Sequence, residues 1–271
     1  MILNHGKKME SMISCLPTNI ITEPTNMKIA VIADIHGNLE AFTSVYNDIR
    51  QQQVESVISL GDNIGYGADS EAVIQQIRKH NIISILGNHE LAVMDPNVQK
   101  WFREDARQAL KQVLENLSED SKDYIHSLKP NFRMADCLFV HGFPPDSERL
   151  YLFQISDLKL LQTFSAMKES ICFVGHTHRL RLVYPENGCI HSRALQNEHI
   201  QLSWNRKYII NAGSVGQPRD GDPDAKYLIW DSSTFRLEIR SVSYDIAKAA
   251  QKIIDAGIPE QFALRLSGDV L

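Results

Sequence analysis

No two cysteines of the chain stand close enough in sequence to form a zinc or redox pair. Cys15, Cys137, Cys172 and Cys189 are widely spaced and none belongs to a CxxC motif, which excludes the usual structural zinc and thioredoxin-like patterns. Cys137 and Cys172 lie inside apolar runs, where a thiol serves as a small hydrophobe, so the expected setting is reducing and cytoplasmic. Long apolar runs are missing as well: no stretch nears the roughly 18 residues of a spanning helix, which speaks against a membrane protein. Positive charge is in deficit, with 28 Lys and Arg against 33 Asp and Glu and a net charge of −5. General binding to nucleic acid or to an anionic membrane is therefore not expected. A small anionic substrate would need local cationic help, and bound metal ions are the obvious source.

Repeats, low-complexity tracts and a convincing linker are also lacking, so one domain is the economical organisation for 271 residues. Residues 1–26 contain two lysines but no signal-like apolar core, because Leu16-Pro17-Thr18-Asn19 interrupts the weakly apolar part. They read as a loosely ordered N-terminal extension, with the domain proper over residues 27–271.

What is present is a series of short apolar runs, each ending on metal-ligand chemistry. Residues 28–33 read as a buried strand rich in β-branched side chains, followed by Asp34-Ile35-His36-Gly37-Asn38. A helix is expected over 39–53, a strand over 57–60 ending on Gly61-Asp62-Asn63, a helix over 70–80, and a strand over 82–86 delivering Gly87-Asn88-His89-Glu90. Strand–helix alternation of this kind predicts parallel pairing with right-handed crossovers. Helices over 101–116 and 120–128 form an insertion whose apolar stripe (Phe102, Ala106, Leu110, Val113, Leu117) reads as core packing, with loops free to wall a substrate cleft. Strands over 132–135 and 137–140 follow, the latter ending on His141-Gly142. After a helix over 156–167, a strand over 171–174 ends on Gly175-His176-Thr177-His178. The last third reads as strands (180–184, 189–192, 202–204, 208–210, 227–230 and 235–242) and a closing helix over 245–256.

Five strand ends thus carry Asp34 and His36; Asp62; Asn88 and His89; His141; and His176 with His178. Open α/β sheets hold their ligands at the carboxyl ends of strands, and a coincidental gathering of all these residues at one edge is improbable. The other five histidines, His5, His80, His126, His191 and His199, read as structural or solvent-exposed. Imidazole, carboxylate and amide oxygen without thiolate favour Mn, Fe, Zn or Co over a structural zinc site. The ligands are too many for one ion. Two divalent metals about 3.5–4 Å apart, sharing one carboxylate, would use them all and suit hydrolysis at phosphorus.

The strings DIHGN, GDNIGYG, GNHE, HG and GHTH, in this order, resemble the calcineurin-like metallophosphoesterase superfamily. The tail Asn211-Ala212-Gly213-Ser214-Val215-Gly216-Gln217-Pro218-Arg219-Asp220 is similar to its small bacterial phosphodiesterase branch, near the group related to diadenosine tetraphosphatases. The resemblance implies an α/β fold, a four-layer α/β/β/α sandwich of two facing mixed β-sheets with a dinuclear metal site at strand ends. It implies Asp34, His36 and His178 as ligands of one metal, Asn88, His141 and His176 as ligands of the other, and Asp62 as their catalytic bridge. Water activated by the two cations would attack phosphorus, with His89 as general acid or donor to a phosphoryl oxygen. Glu90 stands where many relatives have Asp. Asn38 and Arg219 are the expected substrate-side contacts. The implied substrate is a small phosphorylated molecule, a nucleotide among the candidates, cleaved at a phosphodiester or anhydride bond. A phosphomonoesterase or protein phosphatase on the same metals is the alternative. A metal-poor scaffold is disfavoured, since no expected ligand position is vacant.

Residues 1–26 carry no ligand and no apolar periodicity, so a chain beginning at Met27 is expected to keep both its thermal transition and its activity. Loss of the cooperative transition on removing them would show the extension to be part of the fold.

Overall fold

The computed structural model describes residues 27–268; the extension expected over residues 1–26 lies outside them. In chain order the elements are β1 (Lys28–Ile32), α1 (Leu39–Ile49), β2 (Ser56–Ser59), α2 (Ser70–Lys79), β3 (Ile83–Ser84), α3 (Asn88–Met94), α4 (Glu104–Asn116) and α5 (Glu119–Ser127). They continue as β4 (Asn131–Met134), β5 (Cys137–Val140), α6 (Asp157–Ala166), β6 (Ile171–Val174), β7 (Leu180–Glu186), β8 (Cys189–Ala194) and β9 (His199–Gln201). The chain closes with β10 (Tyr208–Ala212), β11 (Ala225–Asp231), β12 (Arg236–Val242), α7 (Ile246–Asp255) and α8 (Gln261–Leu264).

Two mixed sheets result, one ordered β3-β2-β1-β11-β12-β9 and the other β4-β5-β6-β10-β7-β8. The alternation of β1 explains why they stack. Ile29, Val31 and Ala33 face the layer between the sheets, meeting Phe139, Phe173, Ile210 and Trp230. Ala30 and Ile32 point the other way, under Phe42, Val45 and Ile49 of α1 and Val73 and Ile77 of α2. The second sheet repeats the pattern: Leu138, Val140, Cys172 and Val174 face Leu160 and Phe164 of α6. The central strands β1, β5 and β6 are apolar on both faces because each face has a layer to cover. The four-layer sandwich is therefore as the sequence implies, and Cys137 and Cys172 are buried in it.

The expected parallel pairing holds for β1 with β2, β2 with β3, and β5 with β6. It brings the carboxyl ends of β1, β2, β5 and β6, from both sheets, to a common edge.

Several elements differ from the sequence reading. The strand expected over 82–86 shrinks to two residues, and the chain turns into α3 directly at Asn88, where an extended loop was expected. Ile85 and Leu86 are both buried; the Ile85 amide still donates to Ser59 O at 3.1 Å, but that of Leu86 turns away to Lys129 O at 2.8 Å. The helix expected over 101–116 begins only at Glu104, because Phe102 and Arg103 are extended (ψ 148° and 160°). The strand expected over 202–204 lies earlier, at β9, paired with β12. The helix expected over 39–53 stops at Ile49 and continues as turns.

Candidate metal centre

The loops after β1 and β2 are stitched together by backbone: Asp34 N donates to Gly61 O at 3.1 Å and His36 N to Asp62 O at 2.9 Å. In the second sheet Gly175 N donates to His141 O at 2.7 Å, and across the sheets His176 N donates to the Asp34 carboxylate at 3.0 Å. The tail motif clamps the first loop from the far side. Val215 N and Gly216 N donate to Ala33 O and Asp34 O, and Ser214 Oγ donates to Asp34 O at 2.7 Å. A Cβ at position 216 would stand 1.7 Å from Ile35 O, so only glycine permits this approach.

These loops bring all seven expected ligands together, every one of them buried. Asp34, His36 and His178 form one group: His36 Nε2 and His178 Nε2 face each other at 3.1 Å, with Asp34 Oδ1 3.3 Å from the latter. Asp62, His141, His176 and Asn88 form the other. His141 Nε2 has three acceptor atoms around it, Asn88 Oδ1 and His176 Nδ1 at 3.1 Å and Asp62 Oδ2 at 3.3 Å. Asp62 Oδ2 also lies 3.8 Å from His36 Nε2, which puts this carboxylate between the groups.

The second nitrogen of each of these four imidazoles donates to a backbone carbonyl. His36 Nδ1 bonds Ile64 O at 3.0 Å, His141 Nδ1 Leu60 O at 2.8 Å, His178 Nδ1 Gln217 O at 2.7 Å and His176 Nε2 Arg149 O at 3.0 Å. Such bonds fix the tautomer, so the inward nitrogens of His36, His176 and His178 carry lone pairs, whereas that of His141 faces three acceptors. Lone pairs facing at 3.1 Å repel unless a cation lies among them. The donor set therefore fits bound metal ions.

Burial dominates the proton affinities. It holds the His36 and His178 imidazoles far below their usual range, and lowers His89 to about 4 and His176 to about 3, His141 assisting in the last case. It raises Asp34 to about 8, with Asp62 adding to the effect. Burial also works against charge on Asp62 and His141, yet these two stabilise each other: Asp62 stays well below the carboxylate range and His141 rises to about 10. Among the described residues neither Asp34 nor Asp62 has a lysine or arginine ion pair. Positive charge at the centre would compensate both carboxylates.

His89 differs from the four. It follows Asn88 at the start of α3, so the two side chains diverge by the helical turn rather than by an extended loop. Its Nε2 lies 4.0 Å from Asp62 Oδ2, and its buried Nδ1 has no hydrogen-bond partner among the described residues. The ring is wedged edge-on between Tyr66 and Phe102 at 4.6 and 4.8 Å. Gly65 makes room for it, since a Cβ there would stand 2.1 Å from Nδ1.

Glu90 is fully buried, and its carboxylate accepts from the amides of Asp62 (2.8 Å), Asn63 (2.7 Å) and Gly87 (3.1 Å). It ties the loop of Asp62 to the loop of Asn88. Arg219 is placed as expected, on the wall of a cleft beside Asn88 and His176. Asn38 is not. Its Oδ1 caps α1 at Ala41 N (3.0 Å) and its Nδ2 donates to Gly216 O (2.9 Å), so the side chain serves the loop clamp and does not reach that cleft. Tyr151, stacked on His176 at 3.9 Å, and Arg149, whose carbonyl orients the same ring, had no signal in the sequence beyond lying in a loop.

Residues 27–234 match the family model described as the calcineurin-like phosphoesterase superfamily domain. The chain is 36% identical over 245 residues to an uncharacterized protein of Methanocaldococcus jannaschii, covering 88% of this chain and 96% of that one. A metallophosphoesterase from Sphaerobacter thermophilus has the same fold in its crystal structure, with a TM-score of 0.77 and 32% identity over 90% of this chain and 100% of that one. A zinc-dependent endopolyphosphatase of Saccharomyces cerevisiae is 35% identical over 86 residues, 29% of this chain and 26% of that protein. The chain belongs to the calcineurin-like phosphoesterase superfamily.

Replacing Glu90 by alanine would leave three buried amides without their acceptor. Glu90→Ala is expected to lower stability to urea by about 1–3 kcal/mol and to weaken metal retention, as read by denaturation curves and elemental analysis of the same preparation. Unchanged values in both would show that other bonds hold these loops.

Proposed function

We propose that the chain hydrolyses phosphodiester or nucleotide anhydride bonds, using two divalent transition ions held at the strand ends. The observation that carries this reading is the His36–His178 pair, whose inward nitrogens meet at 3.1 Å, beside a second group in which Asn88, His176 and Asp62 converge on His141. Asp34, His36 and His178 would hold one ion, Asn88, His141 and His176 the other, with Asp62 shared. Two such cations supply Lewis acidity and turn water into a nucleophile near neutral pH. The nitrogen and oxygen donors suit Mn, Fe, Zn or Co, and the zinc dependence named for the yeast relative keeps zinc among them.

The chain's own groups do the rest. Burial keeps the His89 imidazole neutral, and in the tautomer with the proton on Nε2 the ring presents an N–H on the side of the centre where Asp62 lies. From there it donates to a phosphoryl oxygen or to the departing alkoxide. Arg219 offers its guanidinium to a second phosphate: its Nη2 bonds Gln217 Oε1 at 2.7 Å and it has no carboxylate partner among the described residues. That free charge favours a diester or anhydride over a monoester and supports the phosphodiesterase branch. The buried thiols of Cys137 and Cys172 support a reducing, cytoplasmic setting. No helix among the described residues is long and apolar enough to cross a membrane.

The decisive experiment is a panel of monoesters, diesters and dinucleotides offered to metal-stripped protein with Mn²⁺ restored. Turnover of monoesters with kcat/KM tenfold above every diester and dinucleotide would favour the phosphomonoesterase alternative. Elemental analysis is expected to find two ions per chain, and Asp62→Asn to weaken both sites together. A single ion after reconstitution in excess metal would count against the dinuclear reading.

His89→Ala is expected to lose about 10²–10⁴ in kcat while keeping both metals and the fold. The defect should shrink for p-nitrophenolate, a leaving group that needs little protonation. Metal loss, or an equal defect across leaving groups of very different pKa, would remove His89 from this role.

A further inference from the structure

The cleft beside Asn88 and His176 has a volume of about 670 Å³, far more than one phosphate group fills. Five arginines line it: Arg103, Arg149, Arg179, Arg219 and Arg265. Among the described residues only Arg103 has a carboxylate partner, Asp105 at 3.9 Å. The acids of the wall are already engaged: Asp105 accepts from Gln261 Nε2 at 2.6 Å, and Asp222 pairs with Lys226 at 3.2 Å. Four guanidinium groups therefore share one hollow without an ion-pair partner among the described residues, against two aspartates in its wall. Concentrating like charge in this way is unfavourable unless an anion neutralises it, and guanidinium forks match phosphate oxygens.

Charge is half of the wall; planar rings are the other half. Trp101 is 45% exposed at the cleft, and the Arg149 guanidinium lies over its ring, 4.3 Å from the centroid. Tyr151 lies flat against His176, with 19° between the rings. A half-exposed indole backed by a guanidinium is a surface on which a heteroaromatic ring stacks. The extended residues Phe102 and Arg103 break the helix that the sequence predicts there, and the indole stands just before that break.

We infer that this cleft is a composite subsite for a nucleotide carrying more than one phosphate. Arg179, Arg219 and Arg265 receive the phosphates beyond the metal centre, and Trp101 with Arg149 receives the base. The inference rests on the phosphoesterase reading of the metal centre and narrows its substrate. Inorganic phosphate chains would use the arginines and leave the rings idle. A phosphopeptide would not need four unpaired guanidinium groups in one hollow.

Equilibrium binding to the metal-loaded full chain tests this with four probes: the β,γ-imido analogue of ATP, AMP, imidodiphosphate and a phosphotyrosine peptide. The ATP analogue should bind at least tenfold more tightly than each of the others. Trp101→Ala should weaken it about tenfold, within the range that stacking one base contributes, and leave imidodiphosphate unchanged. Trp101→Phe should retain most of the affinity. Arg265→Ala should weaken both the ATP analogue and imidodiphosphate, whereas Trp204→Ala, outside the cleft, should alter neither. Equal affinity for imidodiphosphate and the ATP analogue, or indifference to Trp101→Ala in a protein that still melts normally, overturns the base site. Tighter binding of the phosphopeptide overturns the nucleotide assignment altogether. Failure of the phosphoesterase reading shows separately, as metal-loaded protein that turns over no ester although these affinities follow the expected order.

Discussion

Unprotonated nitrogens do not approach one another in a folded protein without something to hold them. Here those of His36 and His178 are held at 3.1 Å, beside the His141–His176 contact, and the restraint is the hydrogen bond from the outer nitrogen of each ring to a main-chain carbonyl. Those carbonyls belong to Leu60 and Ile64 on the loop after β2, to Arg149 on the loop after β5 and to Gln217 on the loop after β10. The centre can form only if these three loops arrive together. The parallel pairing of β1 with β2 and of β5 with β6 brings most of them to one edge. Ser214 and Gly216 lock the edge from behind.

Much of this was legible because short apolar runs are followed at once by Asp or His, and a buried strand must end where its apolar residues end. Asp34, His36, Asp62, His141, His176 and His178 were found in that way and do converge. Asn88 and His89 were placed correctly in space but on the wrong local structure. Ile85 and Leu86 are apolar because they enter the core, and burial alone does not distinguish a paired strand from the approach to a helix. Asn38 carries two signals, because an Asn just before a helical stripe is also a strong N-cap residue, and capping is what its side chain does.

The residues that escaped notice share a physical reason. Arg149, Tyr151 and Trp101 act through contacts with residues distant in the chain, and no periodicity marks a loop side chain that stacks on a ring elsewhere. Glu90 was visible as part of a motif, but its work was not. Its carboxylate gathers amides from two loops that only the folded chain brings side by side. Sequence shows which residues carry the chemistry more readily than which ones hold them still.

The backbone itself registers the strain of this arrangement. Asp34, His36, Asp62, His176 and His178 all adopt left-handed conformations, with φ between 50° and 65°. Such a conformation costs a residue other than glycine on the order of 1–3 kcal/mol, and these residues carry buried charge or polarity besides. Selection for folding alone would erode such positions, substituting glycine or an apolar side chain wherever chance allowed. These five positions are therefore a local deficit in stability, which the packing of the two sheets around them offsets.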